Sequence, residues 1–256
     1  MSLGDHLREL RYRVIFSLVW IVLGMIVIAV FYNQVYGFLT QPWLQARDML
    51  SETNPELSTQ MVLSGVTTPL ILAMKICGVG GLILASPIWL YQIWAYIVPA
   101  LLAKEKRWAL TFLAAALPLF LAGVAVGYLV LPQGISVMMS FTPESVPITN
   151  LIEIDKFLEL MLQLMVVFGL GFLMPVVVVG ANMVGVVKAS QLAKARTYVI
   201  FGTFVFGAAA TPSTDPFSMC ALAIPMSLLF IVAELICRAN DKRKARREAA
   251  AELATS

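Results

Sequence analysis

The sequence predicts an all-α integral membrane protein of six helices with both ends in the cytoplasm, on three observations. First, 60% of its 256 residues are hydrophobic and 13% charged, with mean hydropathy +0.86, where a soluble domain is roughly half apolar and a quarter charged. Second, the apolar residues gather in runs that match a hydrocarbon core of ~30 Å, which takes about 20 helical residues to cross. Third, the basic residues fall almost wholly in alternate gaps between those runs. Arg8, Arg11 and Arg13 precede the first run, and Lys104, Lys106 and Arg107 follow the second. Lys188, Lys194 and Arg196 follow the fourth, and Arg238, Lys242, Arg243, Lys244, Arg246 and Arg247 follow the last. The other gaps carry Asp48, Glu52, Glu56, Glu144, Glu153, Asp155 and Asp215 against Arg47 and Lys156 alone. Short loops rich in Lys and Arg stay on the cytoplasmic side, so the alternation predicts an even number of crossings independently of hydropathy.

The expected spans are 14–36, 69–99, 108–131, 157–187, 198–210 and 216–236, forming one membrane domain over 1–237 with a basic cytoplasmic tail over 238–256. The first, Val14 to Tyr32 at its core, lacks a following small-residue cleavage site and reads as a stable helix, not a signal peptide. The second and fourth are too long for an upright crossing and should tilt, bend or project, while the fifth is short. Pro87, Pro118, Pro175 and Pro225 lie inside spans. Each removes a backbone donor and is expected to kink its helix, and bent helices enclose concave surfaces. A re-entrant hairpin in place of the last two spans is the alternative, and it leaves the flanking basic segments where they are only by coincidence. The outward loops 33–68 and 132–156, with Pro42, Pro55, Pro143 and Pro147, read as ordinary caps.

Composition excludes several functions. The net charge of +3 is explained by basic residues facing an anionic leaflet and does not point to nucleic acid. Cys77, Cys220 and Cys237 lie in apolar runs without ligand-like spacing, which suits packed thiols, not bridges or a metal site. The single histidine, His6, has no Ser, Cys or carboxylate set spaced for catalysis, so neither an enzyme nor a bound cofactor is expected. The halves show no inverted repeat, which weakens a small-solute transporter. A purely structural scaffold is the third possibility.

The residues able to carry recognition are few. Ser2 and Asp5 form an opening capping box, and Leu3, Leu7 and Leu10 share one face, so this segment is expected to lie along the inner surface before turning into the bilayer. Glu9 stands four residues before Arg13, in itself a surface pair worth a few tenths of a kcal/mol. In the first inner loop, Trp89, Tyr91, Trp94 and Tyr96 suit an interfacial aromatic belt. Glu105 there is an acid among basic residues, able to accept a bidentate guanidinium bond. Lys75 and Glu159 lie toward the outward ends of their spans, where either snorkelling or mutual pairing accounts for them. Gly123 and Gly127 form a GxxxG, a pattern too common in apolar spans to argue from.

Several stretches carry a resemblance that covers nearly the whole chain in order: His6-Leu-Arg-Glu-Leu-Arg-Tyr-Arg; Ser86-Pro, Tyr91-Gln-Ile-Trp, Pro99-Ala-Leu and Glu105-Lys-Arg; Phe168-Gly, Phe172 and Pro175; Thr211-Pro with Asp215-Pro-Phe-Ser; and Ala223-Ile-Pro-Met. The chain resembles the TatC family of twin-arginine translocase subunits. The resemblance implies a receptor in the bacterial cytoplasmic membrane for signal peptides with paired arginines, exporting folded proteins on the proton motive force. It implies six helices in a glove-like concave bundle with short fifth and sixth helices, in a multi-copy complex with the single-span partners TatA and possibly TatB.

By the same resemblance Glu105 and Glu9 bind the arginine pair, Tyr96 belongs to recognition, and Arg11 and Gln92 stand with them in the two motifs. Thr211, Met219 and Leu173 are assigned to partner-helix contact, to which Gln163 is added by its place on the fourth span, and Pro87, Pro99, Pro175, Pro212 and Asp215 are assigned to structure. Two positions depart from the family's pattern. Leu173 stands where many members have Glu or Gln, and Met219 where many have Gln. Gln163 and Glu159 precede Leu173 on the same helix by about 15 and 21 Å, and the neutral amide of Gln163 is the better substitute for a polar contact between helices.

Overall fold

The computed structural model describes residues 3–53, 58–97, 106–139, 149–210 and 216–255. The chain divides into two compact units, Met1–Gly169 and Leu170–Ser256.

The first unit opens with α1 (Leu3–Val30), a single unbroken helix. The expected turn between a surface segment and the first span is absent. No Pro or Gly stands between Asp5 and Gly24, and Glu9 supports the helix by pairing with Arg13 one turn on. The first span also ends sooner than expected: the helix is interrupted at Phe31 and resumes as α2 (Tyr32–Thr53), with Pro42 inside it. The loop 33–68, expected to be an irregular cap, thus holds most of a helix and also β1 (Ser58–Val62).

The second span divides into α3 (Thr68–Leu84) and α4 (Ser86–Ile97), which bend by 57° where they meet. Pro87 lies in the first turn of α4, where its missing N–H removes no helical bond. The Trp89 indole donates to the Leu82 carbonyl at 2.9 Å, satisfying an acceptor in the last turn of α3.

α5 (Lys106–Met139) runs unbroken through Pro118 and Pro132. Phe38 stacks on Tyr128 at 4.5 Å between ring centroids, and the Tyr128 hydroxyl donates to the Phe38 carbonyl, which seats α2 on α5. β2 (Thr149–Glu153) then leads into α6 (Ile154–Phe172). β1 and β2 pair in parallel, from Ser58 opposite Thr149 to Val62 opposite Glu153. Among the described residues, otherwise helical, a two-stranded ribbon therefore stands in the loops expected to be plain caps.

Glycines set the closest approaches. A Cβ at Gly81 in α3 would lie 2.6 Å from the Met25 amide nitrogen and 2.9 Å from the Ile21 carbonyl of α1. The GxxxG of α5 has the same use: a Cβ at Gly127 would lie 2.9 Å from the Leu164 carbonyl, and one at Gly123 would meet the backbone of Phe168. Without a side chain between them, helix backbones approach closely enough for dispersion contacts along the crossing.

The second unit contains α7 (Met174–Val184), α8 (Ala189–Ala210) and α9 (Pro216–Thr255). Pro175 stands in the first turn of α7, and Gly185 ends it at φ +87°, the left-handed conformation that glycine adopts without strain. α7 and α8 pack on α9 around Ala189, Leu192, Phe230 and Cys237. α8 begins before the expected run 198–210. α9 continues through Pro225 and through the basic tail as one helix.

Polar groups tie this unit together at one end. Asp241 accepts from the Asn182 amide at 2.9 Å and from the backbone N–H of Ala189 at 2.8 Å, which caps the start of α8. Asn240 donates to the Asn182 side-chain oxygen. Glu234, buried, takes both forks of Arg196 at 2.9 and 2.8 Å and also Arg238 at 2.6 Å. A buried carboxylate needs such compensation.

By length and composition, Leu7–Val30, Phe112–Ile135, Ile154–Met183 and Pro216–Arg246 can each cross a membrane, and the bent pair α3 and α4 makes a fifth crossing if taken as one span. α8, which holds the short fifth run, is not in this set. If the α1 and α3 crossing depends on Gly81, Gly81→Val costs ~1–3 kcal/mol through overpacking. Gly78→Ala on the same helix, where a Cβ meets nothing within 4 Å, leaves stability unchanged or raised. Thermal unfolding of both variants in detergent checks this.

Candidate functional site

The sequence-predicted recognition residues that the structure brings together lie where α4 packs against the beginning of α1. The Arg13 guanidinium donates from Nε at 3.0 Å and from Nη2 at 2.6 Å to Oε1 of Glu9, and from Nη1 at 3.0 Å to the side-chain oxygen of Gln92. One guanidinium thus bridges two helices. Arg13 and Glu9 are partly buried, at 20% and 31% side-chain exposure, so this is more than the solvated surface pair that spacing alone suggests. Arg11 points outward and is exposed, and Tyr96, one turn beyond Gln92, is half-buried. Glu105 and Pro99 lie outside the described residues, as do Thr211, Pro212 and Asp215.

The aromatic segment behaves differently from a simple interfacial belt. Trp89 and Trp94 are buried, the first edge-on to Phe120 and the second stacked at 4.7 Å on Phe112, so both fasten α4 to α5. Tyr91 is exposed. The tryptophans hold the platform, and the residues between them present Gln92 to α1.

Within the same unit, Lys75 on α3 and Glu159 on α6 form an ion pair at 2.8 Å. Pairing, not separate snorkelling, is what the structure shows. The pair and Gln163 line a cavity of about 590 Å³ whose other walls, such as Met25, Leu82, Leu162 and Val166, are apolar. In a low-dielectric setting each charge is costly alone and is retained by its partner. Gln163 is exposed at this cavity. Leu173 is half-buried at the start of α7, where the chain breaks before Pro175. Met219 lies against Gly207, at which a Cβ would meet the Met219 carbonyl at 3.1 Å, so α8 and α9 cross closely there. Pro87 and Pro175 both stand in the first turn of a helix that follows a break.

The contact of Arg13 with Gln92, 79 residues away, had no signal in the sequence beyond its spacing from Glu9. The arrangement can bind and orient cationic groups through a carboxylate and an amide.

A family model described as TatC, Sec-independent protein translocase protein, matches residues 5–225. The chain belongs to the TatC family. It is 34% identical over 250 residues to the Sec-independent protein translocase protein TatC of Frankia casuarinae, covering 96% of this chain and 68% of that protein. It is 33% identical over 245 residues to the TatC of Aquifex aeolicus, covering 95% of this chain and 98% of that one. Among solved structures, the twin arginine translocase receptor TatC in DDM superposes with a TM-score of 0.77 at 33% identity, covering 91% of this chain and 99% of that one.

TatC membership makes the ionic contacts testable as architecture. Lys75→Glu sets two acids against each other and lowers the melting temperature of the purified protein, and Glu159→Lys does the same with two cations. The double exchange Lys75→Glu with Glu159→Lys restores most of the loss if the 2.8 Å pair is the reason.

Proposed function

We propose that the chain is the signal-peptide receptor and core subunit of a twin-arginine translocase, and that it exports folded proteins across the bacterial cytoplasmic membrane on the proton motive force. The observation that carries this reading is the seat at α1 and α4, where the Glu9 carboxylate and the Gln92 oxygen already hold a guanidinium in a chain that belongs to the TatC family. Glu9 and Glu105 bind the two arginines of the signal peptide, with Tyr96, Gln92 and Arg11 around them. Two carboxylates at a lipid–water boundary neutralise two guanidinium groups, and charge-assisted forks of this kind favour arginine over lysine. The work is binding and transport, not catalysis. A small-solute transporter using Lys75 and Glu159 is the other reading of an ionic cavity, and it is not what the relatives are named for.

The chain acts with single-span TatA and TatB subunits in a multi-copy complex. Gln163, at the cavity beside Lys75 and Glu159, supplies the polar contact to a partner helix that Leu173 does not, with Met219 and Thr211 as further contacts. It crosses the membrane six times with both ends in the cytoplasm. The charge alternation supports that topology.

Two experiments test the proposal. Glu105→Ala costs ~2–5 kcal/mol in binding of a twin-arginine peptide to the purified protein if the pair is desolvated, and Glu105→Gln does nearly as much harm. Binding equal to the parent's by Glu105→Ala, with a twin-lysine peptide still rejected, removes Glu105 from the site. For topology, single cysteines placed at Thr53 and Ser145 in a cysteine-free background react with an impermeant thiol reagent from outside intact cells. One placed at Ala103 stays unlabelled, and its labelling reverses the orientation.

A further inference from the structure

The geometry points to Arg13 as a resident competitor for the Glu9 carboxylate, holding the seat that an arginine of the incoming signal peptide takes. The inference rests on the reading of Glu9 as a receptor carboxylate and adds to it a regulating residue on the protein itself. A guanidinium offers five N–H donors in a rigid fork. Arg13 directs Nε and Nη2 at Oε1 of Glu9 and Nη1 at Gln92, so three of its donors are engaged by acceptors from two helices. Any foreign guanidinium that uses the same carboxylate oxygen and the same amide meets an occupied seat.

The occupant is tethered one helical turn from Glu9, so its local concentration is high and constant. Its fork is partly buried, which makes release costlier than for a solvated surface pair. A seat open only for a fraction of the time weakens every ligand that uses it by that fraction, whatever the ligand. Arg13 therefore sets the absolute affinity for the peptide and leaves the preference for arginine over lysine unchanged. It also keeps the Glu9 carboxylate paired while no peptide is bound, which avoids leaving a lone charge at the membrane boundary. When a peptide binds, the Arg13 side chain swings to water, where a guanidinium is well accommodated at a membrane surface.

The test measures binding of a twin-arginine peptide and its twin-lysine counterpart to the full-length protein in detergent, for the parent, Arg13→Gln and Arg13→Lys, each also in a Glu9→Gln background. Arg13→Gln is expected to bind the twin-arginine peptide about threefold to fivefold more tightly, matching the release of one partly exposed ion pair. Arg13→Lys, which keeps the charge but not the fork, falls between. In the Glu9→Gln background neither substitution gives a gain. Arg8→Gln, the same change of charge at an exposed residue, leaves affinity as it is. Affinity of Arg13→Gln equal to or below the parent's, with an unchanged melting temperature, overturns the inference, and so does a gain that persists without Glu9. Should Arg13→Gln not fold, Arg13→Lys decides alone by the same comparison. A parent protein that binds twin-arginine and twin-lysine peptides equally overturns the receptor reading itself, whatever Arg13 does.

Discussion

The helix break at Ala85 is the constraint on which the arrangement of the first unit depends. The chain changes direction by 57° there, and proline at position 87, in the first turn of α4, starts the new helix without leaving an amide unpaired. That change lets α4 pack against both the start of α1 and the side of α5, which one straight helix does less readily. The Trp89 indole on the Leu82 carbonyl supplies a donor near the break, so one carbonyl of the last turn of α3 stays satisfied. The tryptophan bodies fill the space against α5, and the amide of Gln92 is left facing Arg13.

Much of the architecture was legible because it depends on local composition. The apolar runs and the breaks before Pro87 and Pro175 follow from what a bilayer and a missing amide demand of a helix. Pro118 and Pro225, by contrast, lie inside helices that continue past them. A proline costs a helix one ladder bond but does not by itself end it. Contacts made in three dimensions were the least legible. Gly123 and Gly127 belong to a pattern too common to read, yet both lie on a close helix crossing. Trp89 and Trp94 have the composition of a membrane belt, and only α5, lying alongside, turns them into core. The family motifs pointed to Glu9 and Gln92 separately, while their meeting through Arg13 depends on the bend.

The second unit solves a different problem with similar chemistry. Glu234 is buried between Arg196 and Arg238, and Asp241 caps α8 while holding Asn182 of α7. A segment dense in positive charge thus contains two carboxylates turned inward, each fixing the relation of α9 to another helix. One guanidinium from α8 and one from α9 thus share a single buried acid while their own side chains stay about half exposed. Directed bonds of this kind add registry to a packing surface whose apolar contacts alone permit sliding.

The pairing of β1 with β2 bears on the order in which the chain assembles. Parallel neighbours cannot be joined by a tight turn, and roughly ninety residues separate the paired strands, a long loop to close before any ladder bond repays its entropy. α3, α4 and α5 all lie within that stretch. The ribbon is therefore expected to pair after those helices have reached their places, as a latch that closes late.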